Sequence, residues 1–124
     1  MPKSDAEWQA LDERLAREVM GWHKRLFWWS VDESGCPVSV HLIPGWQPHL
    51  DVEQALEALD TVADKYPGVG YTLERATPKR LRGYMCALGN PDAPETLAFA
   101  PTLREAICLA IEAWLDAQEE AQDG

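Results

Sequence analysis

The chain has 124 residues, 46% hydrophobic and 26% charged, with 21 Asp and Glu against 11 Lys and Arg and a formal net charge of −10. That length is one domain able to bury about two-thirds of its unfolded surface, and the apolar share excludes a wholly disordered chain. The charge sets the chain as a whole against nucleic acid and anionic membranes and toward basic partners. No apolar run reaches the roughly 18 residues of a membrane span. The opening MPKSDAEWQA lacks the order of a secretory signal, so a cytoplasmic protein is expected.

The first helix is predicted to open at Ser4, because Ser4 and Glu7 have the spacing of a capping box. Trp8, Leu11, Leu15, Val19 and Trp22 follow at intervals of three and four, one apolar stripe on a helical period, and Gly21 is a natural stop. Two β-like runs come next. Arg25 to Val31 is rich in aromatics, Asp32 to Gly35 reads as a turn, and Pro37 to Ile43 alternates Val38, Val40 and Leu42 with Ser39 and His41. A hairpin is expected there. Trp28 and Trp29 fall on opposite faces of its first strand, so a one-sided core cannot bury both.

The second helix is predicted from Asp51, with Gln54 at the reciprocal capping position. Its stripe is Val52, Ala55, Leu56, Leu59, Val62 and Tyr66, and Pro67-Gly68 ends it. A second hairpin follows: Val69, Tyr71 and Leu73 alternate with polar or small residues, Thr77-Pro78 turns, and Leu81 to Leu88 returns. A short strand at Thr96 to Phe99 comes after a Pro-rich loop at 89–95. The third helix opens at Thr102 with Glu105, and Leu103, Ala106, Ile107, Ala110, Ile111, Trp114 and Leu115 give the clearest amphipathic pattern in the chain. The fold class expected is α+β: a mainly antiparallel sheet of four to five strands packed with three amphipathic helices, in the order α-ββ-α-ββ(β)-α. One domain is expected over 4–115, with 116–124 an acidic, frayed tail.

Sixteen of the 21 acids lie in the segments 5–18, 51–64 and 105–123, on the helices or their ends, and the last two segments contain no Lys or Arg. Segment 65–82 is the reverse, with Lys65, Arg75, Lys79, Arg80 and Arg82 against Glu74 alone. The chain therefore sets acidic helices against a basic hairpin.

Three stretches resemble a known family. Leu11 to Trp22, ending Val19-Met20-Gly21-Trp22, is similar to the opening helix of the phage ABA sandwich domain family. Pro48-His49-Leu50-Asp51 resembles the step into its second helix. Ala100 to Ala110, containing Thr102, Ala106, Ile107, Cys108 and Ala110, resembles its closing helix. The resemblance implies a small phage or prophage protein with a sheet between helical layers. It implies no catalytic activity.

Motifs of catalysis are absent: there is no phosphate-cradling glycine loop, no zinc-protease helix and no nucleophile elbow. Cys36, His41 and His49 are neighbours in sequence, but no tight ligand pair for zinc exists among them and nothing orients a Cys–His couple. The three cysteines, Cys36, Cys86 and Cys108, are odd in number and widely spaced, as expected of reduced thiols. No metal, no cofactor and no enzymatic activity are expected.

Two readings of function follow. In the first, the chain is an anti-defence inhibitor, anti-CRISPR-like, that presents acidic helix faces to a basic surface of a host nucleic-acid-handling complex. Glu53, Glu57, Asp60 and Asp64, spaced four, three and four on the second helix, are the contact residues, with Trp46 in the Pro-stiffened loop 44–49 as an aromatic anchor. Acidity that only keeps the chain dispersed is the plain alternative for the helix, and a Trp folded back over a sheet edge is the plain alternative for Trp46. In the second, Arg75, Lys79, Arg80 and Arg82, with the Trp46 loop, hold a nucleotide or phosphorylated signal. Direct nucleic-acid binding is not expected, nor is a membrane partner. A homodimer is expected where aromatic strands lack cover.

Overall fold

The computed structural model describes residues 3–24, 28–30, 39–42, 45–66, 68–76, 83–89 and 96–123. Helix α1 spans Asp5–Arg14. The Ser4 hydroxyl accepts from the Glu7 amide at 3.2 Å, and Glu7 Oε1 accepts from the Ser4 amide at 3.3 Å, so both halves of the capping box are made. Beyond Arg14 the coil widens into a π-helical turn, Leu15–Val19, in which the Met20 amide donates to the Leu15 carbonyl at 3.0 Å. One extra residue in the turn brings Leu15, Ala16 and Val19 into the core together. Gly21, at φ +71°, then reverses the chain, a conformation that needs no Cβ.

The first sheet is antiparallel: β1 (His23–Lys24), β2 (Trp28–Ser30) and β3 (Ser39–Leu42), in that order. Trp29 stands opposite Lys24 on one side and His41 on the other. The expected hairpin is thus β2–β3, and β1 adds a strand with no mark in the sequence. Its turn, Cys36 included, lies outside the described residues.

Helix α2 spans Val52–Lys65. Asp51 caps it by accepting from the amides of Glu53 and Gln54. Gln54 does not return to the cap as its spacing suggests. Its amide instead pins the preceding loop, donating to the Gly45 carbonyl and accepting from the Gln47 amide, both at 2.7 Å.

The second sheet holds β4 (Gly70–Ala76), β5 (Gly83–Gly89) and β6 (Thr96–Ala100), antiparallel throughout with β5 in the centre. The α+β class and the antiparallel pairing are as read from the sequence. Among the described residues the strands divide between two three-stranded sheets instead of lying in one.

Helix α3 runs Leu103–Asp123 and lies across β5 and β6 with α2 beside it. Ile107, Ile111 and Trp114 from α3, Leu59 and Val62 from α2, Leu15 from the π-turn and Cys86 and Leu88 from β5 form the centre of the core. The stretch expected as a frayed tail over 116–124 is helical through Asp123. Arg14 accounts for it. Its Nε bonds Glu18 at 2.6 Å, while Nη1 reaches Asp116 at 2.8 Å and Nη2 reaches Glu119 at 3.2 Å. On the outer face of the second sheet Leu97 and Phe99 remain 52% and 62% exposed. No helix among the described residues is long and apolar enough to cross a membrane.

Candidate functional site

Asp12 sits on the inner side of α1, four residues after Trp8 and three before Leu15, and is only 3% exposed. A carboxylate there needs partners, because an uncompensated buried charge is costly. The turn entering α2 supplies them. His49 Nδ1 lies 2.5 Å from Asp12 Oδ2, and the His49 amide donates to Asp12 Oδ1 at 3.3 Å. Trp46 Nε1 donates to the Asp12 carbonyl at 2.9 Å. The His49 ring lies parallel to the Trp8 indole, centroids 5.3 Å apart at 6°. From α3, Arg104 Nε donates to the His49 carbonyl at 3.1 Å. Three segments far apart in sequence are thereby fixed around one histidine.

Burial pushes the Asp12 carboxyl up, from 3.8 to about 6, against the opposing pull of His49. When Asp12 is ionised it accepts the proton-bearing Nδ1 of His49. The other ring nitrogen, Nε2, has no hydrogen-bond partner among the described residues.

The dyad opens into a cavity of about 570 Å³, within the range that small-molecule sites occupy. Trp8, Trp46, His49 and Leu50 give its apolar wall, and Gln9, Gln47, Arg104, Asp5, Glu13 and Glu105 its polar wall. Of these residues Trp46 is the one the sequence marks as a partner contact, and its role differs from that of a partner-facing anchor. It is 2% exposed, edge-on to Trp22 at 4.7 Å. It is folded back onto Trp22 and α1, with its indole N–H used on the Asp12 carbonyl.

The acids expected on α2 are where the helical spacing puts them. Glu53, Glu57, Asp60 and Asp64 are all exposed. Asp60 accepts from the Tyr71 hydroxyl at 2.6 Å, which raises the Tyr71 pKa. No Lys or Arg among the described residues pairs with any of the four. Several acids of α1, the π-turn and α3 are treated differently: Glu13 binds Lys24 and Arg17, Glu18, Asp116 and Glu119 bind Arg14, and Glu112 binds Lys3.

Arg75 is exposed on β4, while Lys79, Arg80 and Arg82 lie outside the described residues. Among the described residues no group of three metal-ligating side chains is close enough to hold an ion. Cys86 and Cys108 are free thiols in the core. Burial pushes Cys86 up to about 12 and Cys108 well above its ordinary value, which keeps both protonated and poorly nucleophilic.

No protein-family model matches the sequence, and no curated protein matches it. The fold is similar to the crystal structure of a phage protein from Bacillus cereus ATCC 14579, at a TM-score of 0.60 and 14% identity, covering 89% of this chain and 94% of that one. At that identity the likeness extends to the fold.

Proposed function

We propose that this chain is a phage accessory protein of the ABA sandwich kind that works in the host cytoplasm by binding, and not as an enzyme. Its target is a basic surface on a host protein complex that handles nucleic acid, and the outcome is inhibition, as in an anti-CRISPR. The observation that carries this reading is selective neutralisation. The chain has few cations, and most of those described are used on α1 and α3, leaving the α2 row of Glu53, Glu57, Asp60 and Asp64 without a cationic partner among the described residues. An unneutralised row on a rigid helix attracts closely spaced Lys and Arg at long range and fixes their register at contact. The phage origin of the similar fold and the resemblance of residues 11–22, 48–51 and 100–110 support the setting.

The test is affinity isolation of the tagged chain from a bacterial lysate in low salt, followed by competition with duplex DNA. A captured partner that DNA displaces, and that raised salt releases, supports the reading. A partner held equally in DNA and high salt contradicts it.

A homodimer is a further proposal for this chain, favoured by the exposed Leu97 and Phe99 on the edge strand β6. Light scattering of the wild type and of Phe99→Glu tests it. A dimer mass that the variant halves supports it, and a monomer mass in both removes it.

A further inference from the structure

The cavity beside the Asp12–His49 pair carries an inference separate from the α2 face. Its acids are mostly satisfied within the protein. Asp12 is held by His49, Glu13 by Lys24 at 2.8 Å, and Glu105 Oε1 accepts from the Thr102 hydroxyl at 2.6 Å. Asp5 stands exposed in the first turn of α1, where the free backbone amides of a helix start favour an anion.

Arg104 is the opposite case. It is the second residue of α3, the end of a helix at which a cation is disfavoured. Its Nε is used on the His49 carbonyl. Its Nη1 and Nη2 have no acceptor, and no carboxylate pairs with it, among the described residues, in a chain with ten more acids than bases. A guanidinium in the wall of a cavity that no carboxylate among the described residues pairs with is a ready partner for an oxyanion, which its planar fork can grip at two points. The Gln9 and Gln47 side chains on the same wall have amide donors to add. The apolar walls of Trp8 and Trp46 limit water and strengthen that grip.

We infer that the cavity is a binding site for a small organic anion, whose carboxylate or phosphate group lies on the Arg104 guanidinium with its apolar body against Trp8, Trp46 and Leu50.

The experiment titrates the full chain with inorganic phosphate, with a di- and a tricarboxylate (succinate and citrate), and with methylguanidinium as the cationic contrast. The readout is the indole and Arg Nε–H resonances in ¹H–¹⁵N spectra. Saturable shifts of the Trp46 indole with half-saturation at or below about 1 mM are expected for an oxyanion. Response to phosphate alone supports a phosphate group as the ligand's head, and response to the carboxylates alone supports a carboxylate. Arg104→Gln should weaken binding about tenfold or more, and Arg104→Lys, which keeps the charge without the fork, should weaken it less. Arg75→Gln, outside the cavity, should leave it unchanged. Absence of saturation with every oxyanion, saturation with methylguanidinium instead, or loss of binding in Arg75→Gln but not in Arg104→Gln would each overturn the inference.

Discussion

Asp12 and His49 are 37 residues apart, and His49 meets both oxygens of the Asp12 carboxylate, one through its ring and one through its backbone amide. This two-point contact ties α1 to the loop that enters α2, and Arg104 ties α3 to the same histidine. The three helices are therefore joined at the cavity by polar bonds as well as through the core.

The Asp12 pair has a pH signature. Burial lifts the Asp12 carboxyl from 3.8 to about 6, so the folded protein takes up a proton there at a pH at which the unfolded chain does not. Stability from this source is fully present below about pH 4 and is lost as pH rises through about 6. Asp12→Asn removes the titration. Urea midpoints of the wild type and this variant are compared at a series of pH values across that interval. The wild-type midpoint should fall relative to that of the variant as pH rises. A difference that stays flat, or a wild type that gains on the variant with rising pH, would contradict the assignment.

The core has a sharp test in Trp114. It is 2% exposed, on the inner stripe of α3, with its ring 4.4 Å from that of Tyr66 in an edge-to-face contact. Trp114→Ala should cost on the order of 3–5 kcal/mol, from lost burial and the cavity left behind. Its Nε1 has no hydrogen-bond partner among the described residues, so Trp114→Phe keeps most of the packing and removes an unsatisfied donor. Phe should therefore be far milder than Ala in the urea midpoint.

A smaller clash is expected at Gly83. A Cβ built there would lie 2.7 Å from the carbonyl oxygen of Ala100, whereas at Gly45 it would meet nothing within 4 Å. Gly83→Ala must push β6 away from β5 and should cost about 1–3 kcal/mol, and Gly45→Ala should be close to neutral. Thermal unfolding of the two variants separates the cases, and equal midpoints would contradict the β5–β6 register.

The Arg14 fork to Asp116 and Glu119 holds the last turns of α3. Exposed ion pairs are weak, so Arg14→Met should lower global stability by only about 1 kcal/mol. Amide exchange in 116–123 should nevertheless speed up relative to 103–115. Uniform exchange along the helix in both proteins would show that the fork does not order this end.

Helix starts are legible in the sequence because their caps are local: Ser4 with Glu7, Asp51, and Thr102 with Glu105 each announce a first turn within four residues. The end of α3 is not, because Asp116 and Glu119 are ordered by an arginine more than a hundred positions away. The π-turn at 15–19 has no compositional mark, since it arises from packing of Leu15, Ala16 and Val19. Asp12 stands in sequence among the solvated acids of α1. Its place on the apolar stripe, i+4 from Trp8, is a readable signal that it turns inward. Its partner His49 is not readable, since only the folded chain brings the two together. The α2 row is readable in full, because a helical period decides which residues share a face.

Charge reversal of that row tests the binding function most directly. The variant Glu53→Lys, Glu57→Lys, Asp60→Lys and Asp64→Lys should stay folded, since exposed helix charges contribute little, with a cost of about 1 kcal/mol at the first turn of α2 where Glu53 favours the helix. Its binding to the partner captured by the wild type is then measured in low salt, with circular dichroism confirming the fold. Binding should be abolished if the acidic face is the contact. Binding by the folded variant at wild-type strength would contradict that role.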